Sequence, residues 1–284
     1  MTRAWLLNFE ADEELARPEG PRRLRPDSAL ACRLLRARAL LVPRGDRLVA
    51  ECARGEVQEV RCWMPTRRAL ATVKQLGLPV PVAPRFEVLR AVNSRRFSTQ
   101  LGSGPPGTRW IETEAELDDA LRAGGDWLLR TAHGFAGRGR HLTTSLDAAT
   151  VAFARAAFAR DGGFELAPRV RPERELALHG YVDRSGSTTL GVTTLSHVDA
   201  QGQWRRASLV RAGELSEIEH AQLQAAATET AEALHAAGYF GPFGIDAFRY
   251  RTAHGTGFCP RSEINARYTM AWGRGMAVTR VDLC

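Results

Sequence analysis

An α+β fold is predicted by three observations along the 284-residue chain. The chain closes on two strand-like runs, Phe243-Gly-Ile-Asp-Ala-Phe248 and Glu263-Ile-Asn-Ala-Arg267, separated by the turn-rich Thr252-Ala-His-Gly-Thr-Gly257. A strand-and-turn alternation from 164 to 204 reads as an antiparallel meander. Ser216 and Glu219 form a capping box ahead of a long helix with Leu223, Ala227, Thr230, Leu234 and Ala237 on one face and Gly238 as its stop.

The elements follow in order. Residues 4–9 read as a buried first strand, 37–42 as a second and 47–51 as a short third, with a Pro/Arg-rich loop over 17–26. Residues 65–76 carry Pro in the first turn, Leu70, Val73 and Leu76 on one face and Gly77 at the end, a helix signature. Leu78-Pro-Val-Pro-Val82 is an extended connector, because residues before proline avoid the helical region. A small α/β unit over 1–79 is therefore expected to precede a larger α+β unit over 80–284. A helix starts near Asn93-Ser94, and Thr113 with Glu116 caps another through Leu121. Residues 126–130 form a strand, Gly134-Phe-Ala-Gly-Arg-Gly-Arg140 a glycine-rich loop, 140–144 a return strand and 145–161 a helix.

Composition excludes several classes. With 44% hydrophobic and 25% charged residues the chain is an ordinary globular one. No apolar run approaches the ~18 residues of a membrane span, and the opening segment has too short an apolar core for a secretory signal; a cytoplasmic protein is the expectation. Five cysteines without C-x-x-C spacing argue against a disulfide framework or structural zinc, and Cys259 reads as a small apolar residue. Net charge is +7, but the basic residues are scattered arginines, with Lys74 the only lysine, so nucleic-acid binding is a minority reading.

The chemistry lies in the closing hairpin. Period-2 geometry puts Glu263, Asn265 and Arg267 on one face. Folding symmetrically about His254 and Gly255 sets Asp246 opposite Glu263. Facing carboxylates repel by roughly 3 kcal/mol at ~5 Å and an effective dielectric near 20. A cation between them relieves this, and Mg²⁺ favours carboxylate and amide oxygens together with phosphate. Gly134, Gly137 and Gly139 leave backbone amides free for an anion, with Arg130 and Arg138 adding positive charge. The loop is neither a Walker A sequence nor a Rossmann fingerprint.

Together these residues resemble the ATP-grasp superfamily, carboxylate–amine ligases such as D-alanine–D-alanine ligase and biotin carboxylase, over about residues 80–284. The resemblance implies two α+β lobes holding ATP between them, behind a small pre-ATP-grasp domain. It implies Arg130, Arg96 (or Arg95), Gly134, Gly137, Gly139, Glu165 in an adenine hinge over 165–170, and Glu175 at the ribose as nucleotide contacts. Asp246, Glu263 and Asn265 would hold Mg²⁺; Arg267 and Arg138 would act on the acyl phosphate and the phosphates. The family usually has lysine where this chain has Arg130 and Arg96, and the two are not equivalent at phosphate. The implied activity is amide or peptide bond formation from a carboxylate and an amine with release of ADP and phosphate. A catalytically degenerate ATP-binding regulator is the alternative. Dimers are common in the superfamily, so a homodimer is one expected assembly.

Overall fold

The computed structural model describes residues 2–20, 41–43, 45–134, 139–198, 204–252 and 255–277. Its first strand, β1 (Arg3–Leu6), is followed by α1 (Ala11–Ala16), β2 (Arg47–Leu48), β3 (Glu59–Cys62) and α2 (Arg67–Gln75). The three strands form a parallel sheet in the order β2-β1-β3. Of the strand expected over 37–42, residues 37–40 lie outside the described residues, and Leu41 and Val42 form a turn. The short third strand is two residues long, because Val49–Glu51 turns into a 3-10 helix. β3 escapes a reading by composition: Glu59 and Arg61 are charged and only half-buried, while Val60 and Cys62 are buried. Thr66 caps α2 through a bond from the Ala69 amide, and Gly77 closes it at φ 68°.

After the connector come α3 (Phe86–Val92) and α4 (Arg95–Gln100), the latter capped by Ser94. A second sheet is built from β4 (Arg109–Ile111), β5 (Trp127–Thr131), β6 (Arg140–Thr143) and β7 (Phe164–Pro168) in the antiparallel order β4-β7-β5-β6. Two helices, α5 (Glu114–Arg122) with its Thr113–Glu116 capping box and α6 (Ala148–Asp161), contribute Leu117, Leu121, Ala154 and Ala157 to its core.

The third sheet carries β8 (Arg171–Val182), β9 (Thr188–Leu190), β10 (Thr194–Val198), β11 (Trp204–Leu209), β12 (Gly241–Thr252) and β13 (Gly255–Asn265). Its order is β11-β10-β8-β12-β13, with β9 beside β8. The long capped helix α7 (Glu217–Ala236) supplies Leu223, Ala227, Thr230 and Leu234 to the interior, whereas Ala237 is exposed. Leu178, Ile245 and Ile264 pair side by side and are buried in one cluster with α7 and with Trp5, Trp63 and Met64 of the leading segment. Because successive strand residues alternate faces, the neighbouring row Ala177, Asp246 and Glu263 points to the opposite side. That side is where the candidate site lies.

Candidate functional site

Asp246 does pair with Glu263, and Gly244 with Asn265. The register arises differently from a symmetric fold-over, however. Thr252 pairs with Gly255 and Phe248 with Cys259, two residues out of step with Asp246–Glu263; an irregularity on β13 between Cys259 and Glu263 restores the match. His254, the expected turn centre, lies outside the described residues. Within the irregular stretch, Ser262 donates its hydroxyl to the Asp246 carbonyl, and Arg261 is buried on Glu229, Thr230 and Ser103. A buried arginine bonded to Ser103, Ala226, Glu229 and Thr230 fixes where the strand resumes.

The two carboxylates are treated unequally. Asp246 receives one bond, from Asn265 Nδ2 at 3.0 Å. Burial, reinforced by the charge of Glu263, pushes its pKa up to about 7. Glu263 is about one-third exposed (33%), and the charges of Arg95, Arg130 and Arg267 outweigh its desolvation and hold it below the usual carboxylate range. Arg95 Nη2 lies 3.1 Å from Glu263 Oε1, and Arg130 Nη1 4.0 Å from Oε2. Arg130, at the end of β5, also bonds Glu165 on β7 (Nε to Oε1, 2.6 Å) and the Ser262 carbonyl. These arginines tie the second sheet to the third at the acidic row.

The other sequence candidates are placed as follows. Arg96 points away from the carboxylates and pairs with Glu112 at 2.6 Å, its side chain 50% exposed. Its neighbour Arg95 is the one that reaches Glu263; the phase is set by Ser94, whose cap bond starts α4. Arg96→Ala is accordingly expected to change stability by no more than about 1 kcal/mol, an exposed pair being worth little, as a denaturation midpoint would show. Glu165 lies beneath Arg130 with zero exposure and also accepts from Thr99. The side chain proposed for a hinge is thus the counterion of Arg130. Glu175 is half-buried on β8, opposite Phe248 and two positions along from the Asp246 row, and burial raises its pKa. Gly139 has φ 73° and packs against Thr131, so a side chain there would collide with it. Gly134 borders the acidic cleft. Gly137 and Arg138 lie outside the described residues.

Arg267 follows the end of β13 rather than continuing it. It donates Nε to Asp12 Oδ1 at 3.2 Å and lies 5.1 Å over the Trp63 ring. Asp12, on α1, was missed from the sequence; its partner is 255 positions away. Cys259 is buried and its thiol is pushed up to about 11, an inert state. His179 is likewise interior, between Thr194 and Thr269, and burial lowers it to about 4.

Magnesium fits this donor set. Asp246, Glu263 and Asn265 offer hard oxygens from one face, and the half-buried Asp246 carboxyl accepts a single side-chain bond, from the Asn265 amide. Among the described residues no group of three His, Cys, Asp or Glu side chains could hold a metal, so two carboxylates and an amide would need phosphate oxygens and water to complete the shell, as Mg²⁺ commonly does.

No family model matches the chain, and no curated protein does. Solved structures do. The biotin carboxylase of Campylobacter jejuni, solved as a β-γ-ATP complex, has a TM-score of 0.59 at 14% identity, over 83% of this chain and 53% of that one. This chain thus spans about half of that enzyme's length. D-alanyl-alanine synthetase A of Vibrio cholerae O1 biovar eltor gives 0.58 at 14% identity, over 99% and 95%. The N5-carboxyaminoimidazole ribonucleotide synthetase of Thermus thermophilus gives 0.51 at 22% identity, over 95% and 72%. At such identities the likeness is one of fold.

Proposed function

We propose that this chain, which has the ATP-grasp fold, is an ATP-dependent carboxylate–amine ligase that forms an amide or peptide bond and releases ADP and phosphate. The observation that carries the reading is the pairing of Asp246 with Glu263, with Asn265 beside them, on the polar face of the third sheet. A purely structural strand gains nothing from facing carboxylates. Under this reading residues 80–284 form the nucleotide-binding unit and the leading segment contributes to the substrate side.

The roles follow from position. When bound, a magnesium ion held by Asp246, Glu263 and Asn265 would neutralise charge gathering on the transferred group. Arg130 and Arg95 add fixed positive charge at the same edge, and phosphoryl transfer depends chiefly on such alignment and neutralisation. A substrate carboxylate oxygen attacks the γ-phosphorus, the bond to the ADP oxygen breaks, and an acyl phosphate results. The amine nitrogen then attacks the acyl carbon; phosphate leaves and the nitrogen loses its proton to water. Arg267 is the residue for the acyl oxygen, since it adjoins both carboxylates and is held in place by Asp12 and Trp63. The loop from Gly134 to Arg140 would exclude the water that hydrolyses the intermediate.

Purified protein given Mg-ATP with panels of acids and amines should release ADP and phosphate only when both are present. Release of AMP and pyrophosphate would contradict the reading. A second reading, an ATP-binding regulator without turnover, is favoured by one observation: Glu263 is already neutralised by Arg95 and Arg130. It predicts ATP binding with no substrate-stimulated ADP release.

Asp246 makes binding pH-dependent. Its carboxyl titrates near 3.8 unfolded and about 7 folded, so the folded state holds the proton more tightly. The ligand-free protein therefore loses stability from this group as pH rises across that window. Mg-ATP needs the ionised form and should bind better across the same window. The rise in melting temperature on adding Mg-ATP is expected to be larger at about pH 8 than at about pH 5.5.

A further inference from the structure

A second cavity, of about 620 Å³, shares only its His133 wall with the acidic cleft and has no part in the chemistry above. It lies between the leading segment, α3 and α4 on one side and β4 with the end of α6 on the other. Phe86, Arg90, Phe97, Trp110, His133 and Asp161 are among its walls.

Three polar groups in these walls are unmatched by the fold. Asp161 ends α6, and its side chain is only 2% exposed. Arg160 donates both Nε and Nη2 to Asp161 Oδ2, so Oδ1 is buried without a hydrogen-bond partner among the described residues. Trp110 Nε1 is likewise a buried donor without a partner among them. Arg90 donates Nε to the Leu15 carbonyl at 2.9 Å and has no carboxylate partner among the described residues.

An anion alone would suit Arg90 but would meet Asp161, a carboxylate already placed at the negative end of a 14-residue helix. A cation alone would suit Asp161 and meet Arg90. A molecule with both charges satisfies each, since a carboxylate matches the planar fork of arginine and an ammonium brings three donors. Burial lowers the His133 pKa to about 4; Arg90 adds to that shift and Asp161 opposes it, so both charges act on one imidazole. The three aromatic walls offer an apolar surface to the rest of the molecule. The volume is within the range of about 300–1,000 Å³ common for small-molecule sites.

We propose that this cavity is a second ligand site, for a zwitterion of amino-acid or short-peptide type, with its carboxylate on Arg90 and its ammonium on Asp161 Oδ1. It does not rest on the ligase reading. A ligand there would lie against Ser94 and His133, the residues directly before Arg95 and Gly134 at the acidic cleft.

The test is the melting temperature of the nucleotide-free protein, titrated with each standard amino acid and with glycyl dipeptides. At least one should raise it saturably above an equal concentration of sodium acetate with methylammonium chloride, which carry the two charges on separate molecules. The fitted affinity should fall by about 10-fold or more in Arg90→Gln and in Asp161→Asn, each having lost a charged hydrogen bond. It should be unchanged in Asp12→Asn, whose substitution lies in the acidic cleft. Every variant is read against its own ligand-free melting temperature, so a loss of stability does not imitate a loss of binding. No saturable rise in the wild type, or full affinity kept in either Arg90→Gln or Asp161→Asn, overturns the assignment. Neither result touches the ligase reading, because no nucleotide or turnover enters the measurement.

Discussion

If the chain has the proposed ligase activity, Glu263→Gln is expected to lower turnover by roughly 10²–10³-fold, or about 3–4 kcal/mol of transition-state stabilisation. Glutamine keeps the size of the side chain and one carbonyl oxygen, so the pairing of β13 with β12 is conserved. What is lost is the negative charge that would face magnesium from the strand opposite Asp246. Asp246→Asn should have a similar effect on turnover for the same reason. Their effects on folding should diverge. Asp246 is a half-buried acid whose desolvation raises it to about 7, so its amide variant sheds a burden above that pH. Glu263 is the shared anion of Arg95 and Arg130, and its amide variant leaves both cations less compensated. Turnover and urea midpoints measured on the two variants at about pH 8 separate the roles: activity falls in both, stability falls only in Glu263→Gln. Equal activity in the variant and the wild type would remove Glu263 from the reaction.

Arg130→Met carries the largest expected effect on folding, a loss of about 3–5 kcal/mol. Glu165 has no solvent exposure, and Arg130 is its ionic partner at 2.5 Å, with only the Thr99 hydroxyl on its other oxygen. Removing the arginine strands a carboxylate inside the second sheet. The double variant Arg130→Met with Glu165→Met should recover much of that loss, since replacing a buried pair with apolar groups is often neutral. Additive single losses in a double-mutant cycle would show that the pair is not coupled. Because the same arginine bonds the Ser262 carbonyl and faces Glu263, the single variant should also weaken nucleotide binding.

Much of this architecture can be read from residues because the signals are local. Capping boxes at Thr113 and Ser216 place two helices within a residue or so of their observed starts. Alternation in the closing hairpin puts Glu263 and Asn265 on one face and pairs Asp246 with Glu263. The turn and the irregular stretch on β13 each shift the register, and the shifts compensate, which no pattern in the chain announces. Other elements are silent for physical reasons. β3 alternates charged with small apolar residues, and α1 and α3 are only 6 and 7 residues long, too short for a clear helical period. The choice between Arg95 and Arg96 depends on the rotation of a helix whose phase only coordinates reveal. Asp12 depends on a contact across almost the entire chain. Glu165 looks like a polar strand residue in sequence, and only the sheet order, with β7 next to β5, makes it a buried counterion.

A crystal structure grown with Mg²⁺ and a non-hydrolysable ATP analogue addresses the metal face most directly. Density for a cation at about 2.0–2.1 Å from carboxylate oxygens of both Asp246 and Glu263, bridging to phosphate oxygens, is the predicted result. Nucleotide bound elsewhere, or bound here with no cation and the Arg95–Glu263 pair intact, would contradict it.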